Sequence, residues 1–230
     1  MTDTLSILLF VRTPEKGKVK SRLAAELGEE MAVVIYKSFV LDILAMLLNG
    51  PYPLTLCVHP PHSGEALADW LGPSLTYVPQ EGNDLGEKMK NAFVRSFSGR
   101  TEKAVLIGSD IPDLSMAIID EAFVSLDTCD AVIGPASDGG YYLIGFRRDR
   151  FLPGVFEGIP WGTEAVCGKT LGLFHCAGCR VHVLPEWHDI DTADDLKSLF
   201  ARNEHSAFRE SKTMSIIWEN REDILGRESP

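Results

Sequence analysis

The chain is short of positive charge: 22 Lys and Arg stand against 33 Asp and Glu in 230 residues, a net charge of −11. Broad binding of nucleic acid or of an anionic membrane needs an extended positive face, so neither partner is expected. Cysteine is scarce and odd in number, with Cys57, Cys129, Cys167, Cys176 and Cys179 scattered along the sequence. Reduced thiols are expected, not a disulfide framework. The opening "MTDTLSILLFV" lacks the basic stretch and small-residue cleavage site of a secretory signal. No apolar run approaches the ~18 residues that span a bilayer, and a cytoplasmic protein is expected. Internal repeats, low-complexity tracts and linkers are also missing.

What is present is an ordinary globular composition, 45% hydrophobic and 24% charged, in a length that suits one large domain. "LSILLFV" (5–11) is a continuous apolar run, the form of a strand covered on both faces. "EEMAVVIYKSFVLDILAMLLNG" (29–50) reads as a helix stopped by Gly50. "PLTLCVH" (53–59) and "LTYVP" (75–79) read as strands around a helical stretch from Gly64 to Leu71. Leu85, Met89, Phe93 and Phe97 mark one face of a helix capped by Asp84. "KAVLIGSD" (103–110) is the clearest strand, and a helix runs from about Ser115 to Leu126. "DAVIGPA" (130–136) and "GYYLIGF" (140–146) are extended segments joined through "SDGG", "CRVHVLP" (179–185) is the last strand, and a helix begins at Thr192. The alternation predicts an α/β single domain with a mainly parallel sheet, helices on both faces and one antiparallel departure near 130–146.

Ligands of open α/β sheets collect where loops leave the carboxyl ends of strands. Four polar loops qualify: the basic loop of 10–23, "IGSDIPDLS" (107–115), "GPASDGGYY" (134–142) and "EWHDIDTADDL" (186–196). The first gathers five cations, Arg12, Lys16, Lys18, Lys20 and Arg22, and the other three carry carboxylates. Both signs together suit a polyphosphate with its metal, because Mg²⁺ is held by one or two protein carboxylates plus phosphate oxygens. Asp110 is the first candidate metal ligand and Asp191 the second. Each also has an ordinary reading as a helix-capping residue.

The basic loop is not a Walker loop, since Arg12 stands where the first glycine belongs and Val19 follows Gly17 and Lys18. No G-x-G-x-x-G follows a predicted strand either. Phosphate gripped here would be held by side-chain charge from Arg12, Lys16, Lys20 and Arg22, with Gly17 allowing close backbone approach. A solvated charged loop is the plain alternative.

In order along the chain, "FVRTPEKGKVKSRL", "QEGNDLGEKMKNAF", "GSDIPDL", "GPASDGGYYLIG", "WGT" and "DIDTADDL" resemble a bacterial family of nucleotide-diphospho-sugar transferase-like proteins classed as glycosyltransferases. The sequence is also similar to the phospholactate guanylyltransferases and, more distantly, to the molybdenum cofactor guanylyltransferases. The resemblance covers about residues 5–200. It implies a GT-A-type Rossmann-like fold, a nucleotide over the first loop, and Mg²⁺ or Mn²⁺ at Asp110; in related nucleotidyltransferases a second metal carboxylate comes from a D-x-D-T segment, which here would be Asp191 of "DIDT". The first loop lacks a G-x-G-x-R pattern and "SDIPD" is not D-x-D, so glycosyl and nucleotidyl transfer both stay open.

"ASDGGYYLIGF" fits the acceptor side. Gly139 and Gly140 let backbone approach a ligand, Asp138 orients a hydroxyl or acts as base, and Tyr141 or Tyr142 stacks on a ring. A hairpin turn with two sheet tyrosines explains the same residues. Trp161 and Thr163 of "IPWGT" are weaker candidates, and Asp84 and Glu87 have capping to account for them. "HCAGCRVH" (175–182) has one C-x-x-C without a second pair, which argues against zinc. His59 and His62 read as loop residues. Beyond residue 203 the periodicity predicts an amphipathic helix stopped by Gly226, packed on the domain or against a second copy of the chain. Three functions remain: glycosyl transfer from a nucleotide-sugar to a small acceptor, nucleotidyl transfer with pyrophosphate release, and nucleotide binding without catalysis.

Overall fold

The computed structural model describes residues 4–226; the last four positions of the predicted C-terminal segment lie outside them. The strands are β1 Leu5–Arg12, β2 Leu54–His59, β3 Thr76–Pro79, β4 Lys103–Ile107, β5 Ala131–Pro135, β6 Tyr141–Arg147 and β7 Val181–Val183. They form one sheet in the order β3-β2-β1-β4-β6-β5-β7. Only β6 runs against its neighbours, β4 and β5; every other pairing is parallel. The α/β architecture and the antiparallel departure read from the sequence are both there.

The helices are α1 Ser21–Leu27, α2 Glu29–Leu48, α3 Gly64–Leu71, α4 Leu85–Ser98, α5 Met116–Ser125, α6 Val166–Cys176, α7 Ala193–Asn203, α8 Lys212–Glu219 and α9 Arg221–Ile224. β1 is apolar from Ile7 to Val11 because both faces are covered there. Ile7, Leu9 and Val11 join a core with α2, α3 and α5, whereas Leu8 and Phe10 join another with α4 and α6. In the second core Phe93 meets Phe146 edge-on at 5.0 Å.

The apolar content of α2 corrects one expectation. Over an 18-residue window its mean hydropathy is 2.1, so by length and composition it is long and apolar enough to cross a membrane. A helix that is apolar all round needs cover on both sides. Tyr36, Val40, Ile43 and Leu47 face the sheet, and Ala32, Ile35 and Phe39 face a third cluster built with α1, α7, α8 and α9. The segment after residue 203 thus lies on its own domain. Its predicted single helix is two, divided at Asn220, with Ser211 accepting from the Met214 N–H at the start of α8.

Other differences are local. β4 ends at Ile107, which leaves Gly108, Ser109 and Asp110 in the loop, and β7 is three residues long. α1 and α6 have no counterpart in the sequence reading. α1 has only seven residues, and neither helix has a side-chain cap or an acidic first turn. Capping by Asp84 is as read: it accepts from the Glu87 N–H at 2.8 Å.

Because β1, β4, β5 and β7 are codirectional, the four polar loops leave the same edge of the sheet. The chain goes from β1 outward to β2 and β3, then returns to place β4 on the other side of β1. The crevice between the ends of β1 and β4 is therefore a topological switch point, where open α/β sheets take their ligands.

Candidate active site

Two cavities occupy this edge and share Arg12, Ser109, Asp110 and Asp191 as walls. The smaller, about 370 Å³, is closed by Lys18, Lys20, Arg22 and Tyr36. The larger, about 500 Å³, extends over Phe10, Leu106, Met89, Tyr141 and Trp161 toward Asp138 and Asp189.

Lys20 stands at the junction. Its Nζ lies 2.6 Å from Asp110 Oδ1 and 2.9 Å from Asp191 Oδ1, and donates to the Ile190 carbonyl at 2.6 Å. The side chain is 3% exposed. Burial alone would lower its pKa, but the two carboxylates prevail and hold it above the ordinary lysine value. Among the described residues Lys20 is the one non-glycine with positive φ (47°), a left-handed conformation that costs about 1–2 kcal/mol. Strain of this kind persists where surrounding contacts enforce it.

The neighbours of Lys20 are tied to one another. Tyr36 Oη, on α2, accepts from the Arg12 N–H at 2.8 Å and lies 3.3 Å from Ser109 Oγ, joining the β1 and β4 loops. Burial pushes its pKa up to about 12, so it stays neutral. The Ile190 N–H donates to the Asp110 carbonyl at 3.1 Å, joining the β4 loop to the segment before α7. Asp113 completes the brace. Its 4%-exposed carboxylate accepts from Arg202 Nε and Asn203 Nδ2 at 2.8 Å and from Trp187 Nε1 at 3.0 Å. Sequence reasoning passed over both braces, because their partners lie far apart in the chain.

The capping alternative for Asp191 fails in an informative way. Thr192 caps α7 and shares a capping box with Asp195, whose carboxylate also takes the Asp191 N–H. Asp191 stands one position earlier, its side chain free to face Lys20 and Arg22, which is 3.6 Å away. For Asp110 the cap position of α5 is filled by Ser115.

Not every candidate reaches the cavities. Lys16 pairs with Glu30 at 2.6 Å on the surface, and Gly17 serves a turn with φ 70° beside Glu29. Neither lines a cavity, whereas Lys18 does. Gly139 (φ 86°) backs onto Glu164, whose carbonyl oxygen would lie 2.3 Å from an added Cβ, so the residue is required by chain packing. Asp138 accepts from the Gly140 N–H at 2.7 Å, and Gly140 itself borders the larger cavity. Tyr141 meets Trp161 edge-on at 6.3 Å, and Thr163 Oγ1 donates to the Pro160 carbonyl beside them. Tyr142 contributes to the wall while its ring packs over Gly134. Asp84 and Glu87 stay outside, and Leu85, Lys88 and Met89 of the same helix line the cavity. His59 Nδ1 is buried without a partner, and burial with Lys88 and Arg12 holds the ring below its ordinary pKa.

The sequence reading missed Asp189, although "HDIDT" displays it. Burial first, and then the charges of Asp138 and Asp191, raise its pKa. Among the described residues no three His, Cys, Asp or Glu side chains group as a metal cluster, and all five cysteines are free thiols. Two hard carboxylates around one cation still suit Mg²⁺ or Mn²⁺, which draw their other ligands from phosphate and water.

The fold and this edge define a nucleotide-diphospho-sugar transferase-like protein. The chain belongs to the bacterial family DUF2064, described as uncharacterized proteins conserved in bacteria, whose model matches residues 40–163. It is similar to a structure from Desulfovibrio desulfuricans G20 provisionally assigned as a nucleotide-diphospho-sugar transferase, with 42% identity over 97% of this chain and 98% of that one, and a TM-score of 0.94. The fold is shared with 4-diphosphocytidyl-2C-methyl-D-erythritol synthase from Anaerococcus prevotii (13% identity, 88% and 97% of the two chains, TM-score 0.58). It is also shared with the inositol-1-phosphate CTP transferase of T. maritima (16% identity, 91% and 98%, TM-score 0.56). No curated protein is similar enough to count as a match.

Proposed function

We propose that the protein is a metal-dependent transferase that moves a glycosyl group from a nucleotide-sugar to a small acceptor. The observation that carries this reading is the convergence of Lys20, Asp110 and Asp191 at the junction of two contiguous cavities. The provisional assignment of the Desulfovibrio relative supports the same class.

In this reading Arg12, Lys18 and Arg22 hold the phosphates of the nucleotide in the smaller cavity by charge. Asp110 and Asp191 would hold Mg²⁺ or Mn²⁺, which supplies neutralisation of charge on the departing diphosphate. The acceptor lies in the larger cavity, where Asp138 orients its hydroxyl and Tyr141 and Trp161 form an aromatic wall. Asp189 adds a second carboxylate beside Asp138.

One observation favours a second reading. Asp110 is paired with Asp191 of "DIDT", the segment whose resemblance is to nucleotidyltransferases. There a small phosphorylated substrate would attack the α-phosphate of a nucleoside triphosphate. Thermal shift and calorimetry with nucleotides and nucleotide-sugars, with and without Mn²⁺, test both. A stabilised complex that turns over to nucleoside diphosphate or monophosphate supports glycosyl transfer, and pyrophosphate release replaces it with nucleotidyl transfer. Metal-dependent binding without turnover over a wide panel leaves a non-catalytic nucleotide-binding module.

A further inference from the structure

The oxygens around Lys20 leave its ammonium nothing to spare. A lysine has three protons to donate, and the Ile190 carbonyl, Asp191 Oδ1 and Asp110 Oδ1 stand 2.6, 2.9 and 2.6 Å from Nζ. Nζ hydrogen-bonds the first two and is ion-paired with the third, so in this arrangement its charge is committed to the chain and not to a phosphate oxygen, the role the sequence suggests for Lys20. Arg22 Nη1 lies 3.6 Å from Asp191 Oδ2. The carboxylates that would hold a divalent ion are thus already neutralised by cations of the chain itself.

We propose that Lys20 is the resident counter-ion of the Asp110 and Asp191 pair: it denies these oxygens to a divalent cation arriving alone and yields them only when nucleotide phosphates enter. The inference rests on the nucleotide reading above and adds an order to it, metal with nucleotide and never metal first. An ammonium and a divalent ion cannot share the same carboxylate oxygens at contact distance, because the two cations repel each other there. Phosphates change the balance in two ways. They give Lys20 new acceptors, and they give the metal the oxygen ligands that two carboxylates cannot supply. Lys20 is suited to such a transfer because the long lysine stem carries its point charge through side-chain rotation alone.

The test uses Mn²⁺ alone, with no nucleotide, titrated into the full chain and into Lys20→Met and followed by paramagnetic resonance of the free ion and by calorimetry. Lys20→Met is expected to bind one Mn²⁺ about tenfold or more tightly than the parent, since the competing charge is gone. Adding Asp110→Asn is expected to abolish that gain. Equal affinity of parent and Lys20→Met, or a gain that survives Asp110→Asn, overturns the proposal.

Lys20→Met leaves two carboxylates facing each other and can fail to fold, so the parent is also followed by ¹⁵N resonances of its lysine ammonium groups. The enclosed Lys20 signal is expected to persist with Mg²⁺ alone and to shift when a nucleotide that binds is added with Mg²⁺. Displacement by Mg²⁺ alone overturns the proposal, and so does a signal unmoved in the nucleotide complex. If no nucleotide binds, the proposed function falls, while the metal-only comparisons still decide whether Lys20 guards the pair.

Discussion

Lys20 Nζ lies 2.6 Å from Asp110 Oδ1, although the two residues belong to loops that follow different strands. The contact joins the end of β1 to the end of β4 across the switch point. Asp110→Asn keeps the shape of the side chain and removes its charge. The expected outcome is loss of metal-dependent nucleotide binding by calorimetry with only about 1 kcal/mol of destabilisation, because solvent screens the half-exposed carboxylate. Nucleotide and metal binding like the parent's would remove Asp110 from the site.

Salt sensitivity separates the cations of the first loop. Lys20 is 3% exposed and Arg22 70%, so ions in solution reach Arg22 and barely reach Lys20. Arg22→Ala is expected to weaken nucleotide binding several-fold at low ionic strength and by much less at 0.5 M salt. A loss of the same size at both concentrations would count against a screened phosphate contact.

Asp113 carries the brace between the β4 loop and α7. Burial alone would raise its pKa, but hydrogen bonds from Arg202, Asn203 and Trp187 hold it below the ordinary 3.8. A depressed carboxylate gives stability that is present above its unfolded pKa and lost as pH falls through the folded one. Urea unfolding between pH 2 and 6 is expected to show stability falling below about pH 4. Asp113→Asn should cost about 2–4 kcal/mol at pH 7 and flatten that acid limb. An unchanged acid limb in the variant would assign the loss to other groups.

Gly139 fixes the hairpin against Glu164. Alanine there meets backbone 2.3 Å away at φ 86°, so Gly139→Ala is expected to destabilise by more than about 2 kcal/mol, measured by thermal or urea unfolding. Gly154, where no atom lies within 4 Å of an added Cβ, is the control and should tolerate alanine far better. Equal tolerance at both positions would show that the hairpin has room to move.

The sequence by itself determined the sheet and most of its helices. Apolar runs such as 7–11 and 104–107 have to be covered on both faces, the four-residue recurrence from Leu85 to Phe97 has to present one face, and Asp84 and Thr192 cap their helices as local chemistry requires. α1 escaped because it is only seven residues long, and α6 because it has no side-chain cap and no acidic residue in its first turn to mark its start. Apolar residues all round α2 did not say whether protein or lipid would cover them. Packing answered, with the sheet on one side and the C-terminal helices on the other.

Tertiary structure alone decided which charges meet. Five cations in eleven positions look alike in sequence, yet the left-handed turn at Lys20 sends that one inward to two aspartates. Lys16 goes to Glu30 on the surface, and Lys18, left out of the phosphate-holding set read from the sequence, lines the cavity wall. The reason is physical: local pattern reports propensity and periodicity, whereas an ion pair across loops depends on how far strand order and direction bring their ends together.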